Sequence, residues 1–383
     1  MAALQSLLTP QFLTKVISQV AGTSDWMSTV FGVQNGGKNV LNYGHGRQGA
    51  YHIYNHLRKV ASGRAPGAAA GRRAANPMGR VDFTYPRLFD SVSLNAEVIH
   101  NLGRIDNPSV RDQAGADMIR RQTDSLGELA ANWRKAMLVG TLRDSLYIGF
   151  DGDDVFFDFE ATAGALPVVQ QHARMPAGNK SQLDMLGGGD IIDASWATST
   201  TDIPGHIGAI NAAFQQLNGG HLAACICTSS TWQKVIQNDK VASIHGSANA
   251  PFLVLERDAL EPEIAKTMKN VYRARLSVYP DVIWYITDEG LEIGAPGSES
   301  FKKVVEDDKV MFIGHEPDDG TVACYEGSEP IAEYDAGPET VKVGLGAWSV
   351  KRANPTSTDL FVVDNAIVCN QVPNSQAYGT VVF

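Results

Sequence analysis

The stretch NPSVRDQAGADMIRRQTDSLGELAANWRKAMLV, from Asn107 to Val139, keeps one helical period throughout. Asn107 suits the N-cap, Pro108 fits the first helical position, and Asp112 lies in the opening turns. Apolar side chains recur at Val110, Ala114, Met118, Ile119, Leu126, Leu129, Ala130, Trp133 and Met137. Arg120, Arg121, Gln122, Asp124, Glu128 and Arg134 form the polar remainder. The spacing predicts a helix over 108–139, about 48 Å long at 1.5 Å per residue. Such a rod is too long for the core of a small domain. It suits a spine on which sheets lie, with Met118, Ile119, Leu126, Leu129, Trp133 and Met137 as its core-facing residues.

What precedes the helix is unlike the rest of the chain. The net charge is −10, yet no acid stands between Met27 and Val81, while Lys38, Arg47, Arg58, Lys59, Arg64, Arg72, Arg73 and Arg80 all fall there. From Asp281 onward, eighteen acids face six bases. A basic segment on an acidic body implies attraction between parts of one chain or between copies. A nucleic-acid tail is weakened by the wide spacing of the bases and by scarce aromatics near them.

The segment has a shape as well. AYHIYNHLRKV and RVDFTYPRLFDSVSLNAEVI have strand character, with Val81, Phe83, Tyr85 and Leu88 on the apolar side. Between them, ASGRAPGAAAGRRAANPMGR is a long Gly/Ala tip. The prediction is an extended β-hairpin or flap, and a loop of that length inside a compact domain is usually a binding arm.

Further along, DSLYIGFDGDDVFFDFE reads as strand, turn and strand, and Ile203–Leu217 as a helix ending at Asn218-Gly219-Gly220. AACICTSS is a buried strand, and SSTWQKVIQNDKVASI a capped helix. VYRARLSVYPDVIWYITDEGLEIG, KVMFIG, TVACYEG, VKVGLGAWSVKR and DLFVVDNAIVCN are strands. The order is arm, hairpin, long helix, mixed middle and β-rich end, hence α+β and not an alternating βαβ series. MAALQSLLTPQFLTKVISQV has no basic n-region, and Leu4, Leu8, Phe12, Val16 and Val20 recur every four residues, so it is a packing helix and not an export signal. No apolar run reaches membrane-spanning length. Cys225, Cys227, Cys324 and Cys369 make no C-x-x-C pair and read as buried free thiols.

Motifs for chemistry are weak. FGVQNGGKN holds G-x-x-x-x-G-K at Gly32, Gly37 and Lys38, but Asn39 stands where a phosphate loop needs Ser or Thr, and no helix pattern follows. The reading taken is an irregular arm. His52 and His56 lack a third ligand for zinc. The acids Asp151, Asp153, Asp154, Asp158 and Glu160 lack the positions of a calcium loop. There is no G-x-S-x-G elbow, and no catalytic residue, cofactor or metal site is predicted.

The order of segments, and above all VYPDVIWYITDEGLEIG, KVMFIGHEPDDGTVACYEG, VVDNAIVCNQVPNSQAYGTVVF and the middle piece CICTSSTWQKVIQNDKV, resembles the major capsid proteins of tailed bacteriophages with the Hong Kong 97-type fold, in particular the lambda-type major head proteins. The resemblance covers most of the chain and rests on the character of segments, with no invariant motif. It implies an N-terminal arm over 1–50, an extended loop over 51–100 and a peripheral domain from 101–160 and 326–383 with the spine helix. It also implies an axial domain over 161–325.

The function so implied is self-assembly into hexamers and pentamers of an icosahedral shell around double-stranded DNA. Assembly would take place in the host cytoplasm, and the protein would reside in the virion. Implied partners are other copies, a separate scaffolding protein, a portal, a cement or decoration protein, and non-specifically bound DNA, with no membrane. The basic flap, through Arg58, Lys59, Arg64, Arg72, Arg73 and Arg80, would lie across an acidic surface of a neighbouring copy, with Val81, Phe83, Tyr85 and Leu88 as apolar anchors. Some relatives cross-link Lys to Asn; Lys59 lies in the loop, but no partner Asn is identified. The alternatives are an encapsulin-like shell around an enzyme cargo, another ring-forming virion component, and nucleotide binding at Gly32–Lys38.

Overall fold

The structure is a computed structural model that describes residues 10–42, 48–53, 79–95, 108–151, 154–160, 169–171, 175–245, 270–330, 341–353 and 356–383. It opens with two helices, α1 (Pro10–Ser24) and α2 (Trp26–Val30). Strands β1 (Val40–Asn42), β2 (Gln48–Ile53), β3 (Gly79–Thr84) and β4 (Arg87–Asn95) lead to the spine helix α3 (Pro108–Arg143). Then come β5 (Tyr147–Asp151), β6 (Asp154–Asp158), β7 (Val169–Gln171) and β8 (Lys180–Ser181). Helix α4 (Ile203–Leu217), β9 (Ala224–Cys227), α5 (Ser229–Ile236) and α6 (Asp239–His245) follow. The β-rich end comprises β10 (Val271–Leu276), β11 (Tyr279–Thr287), β12 (Gly290–Ile293), β13 (Ser300–Lys303), β14 (Lys309–Ile313) and β15 (Val322–Glu326). It closes with β16 (Ser328–Pro330), β17 (Val341–Val343), β18 (Gly346–Ala353), β19 (Thr356–Asn370) and β20 (Gln376–Thr380).

The spine extends one turn past the expected Val139, because Gly140–Arg143 keep the helical register and Leu142 is still fully buried. At 1.5 Å per residue its 36 residues span about 54 Å. Helix α1 crosses it at Gly127, where a Cβ would stand 2.7 Å from Val20. A glycine inside a helix costs roughly 0.5–1 kcal/mol, offset here by the closeness of the crossing.

The buried stripe of α1 is Leu13, Ile17 and Ala21, one residue round from the expected Phe12, Val16 and Val20. Phe12 is exposed; Leu4 and Leu8 lie outside the described residues. On the spine, Ile119, Leu126 and Met137 are buried as expected, and Met118 and Trp133 are half-buried. Leu129 is exposed, a correction: the stripe passes through Leu126 and Ala130, and Leu129 falls off its edge.

Strand β19 organises the first sheet, pairing with β18 along 356–363, with β4 along 357–365 and with β15 along 366–370. β1 joins β15 in parallel. Leu360 and Val362 of β19 pack under α1 and α3, in a core shared with Ala347 and Leu94. On the opposite face Phe89, Phe361 and Trp348 stack, with ring centroids 5.7 and 5.6 Å apart. The second sheet has the order β10-β11-β9-β14-β20-β8. Strand alternation sends Cys225 and Cys227 into the core under α4 and Ile226 into the core that holds the end of the spine.

Sheet membership departs from the expected domain limits. β15 straddles the 325/326 boundary and belongs to the β19 sheet over its whole length, and β20 lies after the boundary yet pairs with β14. Strand β2 begins at Gln48, within the stretch expected to be irregular, and β4 is part of the β19 sheet. The run Arg80–Ile99, expected as one strand, breaks at Tyr85-Pro86, since proline cannot donate to a ladder. The helix expected over SSTWQKVIQNDKVASI is two helices. Asn238 interrupts it, and its side-chain oxygen accepts from the amides of Lys240 and Val241 to start α6.

Candidate assembly surface

The hairpin β2–β3 is the element on which the sequence reading places the assembly function. Its register pairs Gly49 with Phe83, Tyr51 with Val81, and His52 with Arg80. Alternation therefore gives it two unlike faces. The inner face carries Tyr51, Val81 and Phe83, all buried. Tyr51 and Phe83 lie 6.3 and 6.1 Å from the ring of Tyr325 on β15, and Tyr85 meets Phe83 edge-on at 5.0 Å. Gly49 is required at the closest point, since a Cβ there would stand 2.6 Å from the Phe83 ring. The outer face carries Gln48, Ala50, His52, Arg80, Asp82 and Thr84, which line one shallow concavity. Arg80 and Asp82 form an exposed ion pair of 2.8 Å, an interaction that contributes little in water.

This corrects the expectation for the apolar anchors. Val81, Phe83 and Tyr85 bolt the hairpin to its own chain and offer no free surface to a neighbour. Leu88 is half-buried beside the α1–α3 core. Of the predicted basic residues, Arg80 stands on the outer face; Arg58, Lys59, Arg64, Arg72 and Arg73 lie outside the described residues, as does His56.

Two buried charge clusters hold the platform behind the hairpin. In the first, Arg134 of the spine donates to Asp364 at 2.6 and 2.8 Å and to Glu326 at 2.7 Å. Arg134 and Asp364 are fully buried, and Glu326 nearly so. Burial opposes the Arg134 charge, but Asp364, Cys324 and Glu326 together hold its pKa above the ordinary value. Burial raises the pKa of Glu326, Arg134 draws it back, and the charge on Asp364 adds to the rise. Gly344 packs directly on this carboxylate: its φ is +63°, and a Cβ would stand 2.4 Å from Glu326 Cδ.

In the second cluster, Lys135 meets Glu289 at 2.7 Å and Asp25 at 3.2 Å. Burial works against the ammonium, and the two carboxylates overcome it, so its pKa is raised. Asp25 also caps α2 by accepting from the amides of Met27 and Ser28. Trp26 donates to Glu289 at 2.9 Å and stacks on Tyr285 of β11. One lysine thus ties the N-terminal segment, the spine and the second sheet together. At the end of the spine, Arg143 pairs with Glu306 and donates to the Lys303 carbonyl at 3.0 Å.

Sequence reasoning placed Arg134 on the polar face and gave Lys135 no role. The signal was present: Arg134 stands three residues before Met137 and four after Ala130, in the stripe, and Asp364 interrupts the apolar run LFVVDNAIV.

The Gly32–Lys38 segment forms no phosphate cradle. Its polar groups bond inward: Asn39 N–H donates to the Gly32 carbonyl at 2.8 Å, Gly37 N–H to Gln34 at 2.7 Å, and the Asn39 side chain to Phe31 at 2.7 Å. The short strand β1 follows where a helix would be needed, and Lys38 pairs with Asp318 at 3.0 Å. Among the described residues no cluster of His, Cys, Asp and Glu is arranged to hold a metal, and no helix is long and apolar enough to cross a membrane.

No protein-family model matches the sequence, and no curated protein matches it. Solved structures do. A phage-related protein from Bordetella bronchiseptica RB50 is 10% identical, with 95% of each chain covered and a TM-score of 0.50. The capsid of Ralstonia phage GP4 is 10% identical over 91% of this chain and 87% of that one, with a TM-score of 0.45. The mature capsid of bacteriophage PhiM1 is 12% identical over 90% and 85%, with a TM-score of 0.43. The first likeness is one of fold and spans nearly the whole of both chains. The α+β architecture expected from the order of segments is the fold observed, and it is shared with that phage-related protein.

Proposed function

We propose that this chain is a shell-forming major capsid protein, whose copies gather into hexamers and pentamers and close an icosahedral shell around double-stranded DNA. The observation that carries the reading is the fold, shared over 95% of both chains with a phage-related protein. The arrangement of parts agrees with it. A long helix and the β19 sheet make a stiff platform, two buried charge clusters lock the N-terminal segment and the second sheet to that platform, and a hairpin rooted by aromatics carries the basic, Gly/Ala-rich run of residues 54–78.

In this reading the hairpin root is the rigid socket, and the basic run is the part that reaches a neighbouring copy with an acidic surface. Arg58, Lys59, Arg64, Arg72, Arg73 and Arg80 set register and exclude wrong partners, since wet ion pairs contribute only about 0–1 kcal/mol each. The protein acts in the virion and has no catalytic role. A scaffolding protein, a portal and a cement protein are the further partners the reading implies. The acidic total keeps packaged DNA from binding tightly to the wall.

The experiment is to express the chain alone and examine it by electron microscopy and sedimentation. Closed shells, or tubes built of hexagonal units, are expected. Rings of one fixed number would overturn the reading in favour of another virion component, and shells filled with a single co-purifying enzyme would overturn it in favour of an encapsulin.

A further inference from the structure

The second sheet has two edges of opposite character. At one edge, β10 places Arg273 and Arg275 on the same face, two residues apart. Both are half-buried, and the Nε of each is enclosed without a hydrogen-bond partner. Arg273 lies 5.4 Å from the ring centroid of Tyr285 and hydrogen-bonds the side chain of that tyrosine, while neither arginine has a carboxylate partner among the described residues. On the other face of the same strand, Tyr272 is 70% exposed, the most exposed large hydrophobic side chain among the described residues.

At the far edge, β8 runs into a loop that lies beside β20. The loop folds back on itself through Ile191 N–H to the Leu183 carbonyl and Ile192 N–H to the Gln182 carbonyl. Leu183 and Ile192 plug it into the core next to Gly379. What it presents outward is Leu186, 49% exposed, with exposed Asp190 and Asp193 and with half-buried Asp184, which accepts from Gly189 N–H at 3.0 Å. Asp193 bonds His206, and no described lysine or arginine pairs with any of the three.

A ring of copies uses a different surface on each side of every subunit, so its interface joins unlike edges. We infer that the β10 edge of one copy docks against the 184–193 loop of the next around the capsomer axis, setting Arg273 and Arg275 opposite Asp184 and Asp190, and Tyr272 against Leu186. The occupant is a second copy of this chain, because the two edges complement each other in charge and each supplies one exposed apolar knob. The inference rests on the shell-forming reading and specifies which surfaces the ring would use.

The test is a cross-link. The two edges are separated by five strand spacings, roughly 24 Å, too far for a short linker within one chain. The four native thiols are buried, so the unmodified chain is the blank. Particles of the Tyr272→Cys, Leu186→Cys double variant treated with a short bis-maleimide should give a ladder of bands ending at five and six chains. Either single variant should give none, and a dimer from Tyr272→Cys alone would mean that like edges meet, overturning the inference.

In parallel, Arg273→Glu with Arg275→Glu should lower shell yield about tenfold, and so should Asp190→Arg. Combining them should restore it, which also shows that the variants fold. Shells that form but never cross-link, together with charge variants that assemble normally, would overturn this inference and leave the shell-forming reading standing. An unmodified chain that forms no capsomers or shells would overturn both.

Discussion

Arg134 Nε donates to Asp364 Oδ2 at 2.6 Å, with the arginine side chain 2% exposed and the aspartate not at all. The pair joins the spine helix to the middle of the longest strand, and Glu326 on β15 accepts from the same guanidinium. One cation thus holds three elements from distant parts of the sequence. Arg134→Met would leave two carboxylates buried without their counter-charge, which costs about 3–5 kcal/mol. The expected result is a large drop in the urea midpoint of unfolding. Replacing Arg134, Glu326 and Asp364 together by apolar residues should recover much of the loss. An unchanged midpoint for Arg134→Met would contradict the central role given to this cluster.

The same cluster sets a pH dependence. Burial raises the Glu326 pKa above its ordinary 4.5, against the pull of Arg134 and with help from Asp364. Between the unfolded value and the raised folded value, the native chain binds more protons than the unfolded one. This residue's contribution to stability therefore falls as pH rises through that window and is level above it. Glu326→Gln cannot titrate, so the stability of the wild type relative to this variant should decline as pH climbs from 4 through the window. Urea melts of both proteins at stepped pH check the sign, and a difference that grew with pH would refute it.

Lys135 gives a prediction about the N-terminal segment. Its ammonium satisfies Asp25, which caps α2, and Glu289, which also holds the Trp26 indole. Lys135→Met should cost roughly 1.5–3 kcal/mol, the range for hydrogen bonds to charged groups. It should also loosen the first helices before the rest of the chain. Limited proteolysis should cut near Trp26–Phe31 faster than in the wild type, while sites in the second sheet keep their rate. Equal acceleration everywhere would mean that the lysine does not anchor this segment in particular.

Much of this architecture is legible in the sequence. The spine announced itself by period, α4 by Asp202 and Asn218-Gly219-Gly220, and the hairpin by two β-forming runs around a Gly/Ala tip. Local signals fixed what local forces decide. They failed where tertiary contacts choose between adjacent faces: Leu13 over Phe12, and Leu126 with Ala130 over Leu129. They failed most on charge. A periodic pattern marks Arg134 as lying in the apolar stripe, but it cannot name its partners, because Asp364 and Glu326 arrive from more than 190 residues away. The inner face of the hairpin was misread for the same reason, since the aromatic partner Tyr325 lies far along the chain.

Gly49 tests whether that inner face is a socket. A Cβ at this position would overlap the Phe83 ring, and the ring is hemmed in by Tyr51, Tyr85 and Tyr325. Gly49→Val should therefore cost about 1–3 kcal/mol, the range for overpacking a filled core. Hydrogen exchange of the β2 and β3 amides should quicken selectively. If those amides kept their protection, the hairpin would not depend on this contact.

The basic run can be separated from the hairpin that carries it. Among the described residues, pairing between β2 and β3 runs to Ile53 and Gly79, so deleting residues 63–80 while rejoining with a short glycine linker removes Arg64, Arg72, Arg73 and Arg80 and two of the described ladder positions. Tyr51, Val81 and Phe83 stay in their socket, and the two described residues lost, Gly79 and Arg80, are exposed, so the shortened chain should unfold within about 1 kcal/mol of the wild type. Assembly should behave differently: sedimentation should show a folded monomer or small oligomer, and microscopy no closed shells. Restoring length with an uncharged Gly/Ser run then separates reach from charge. If that variant regains shells only at low yield and with misassembled forms, the arginines set register, as the weak energy of wet ion pairs requires. Normal shells from the bare deletion would show that the basic run does not clamp neighbouring copies.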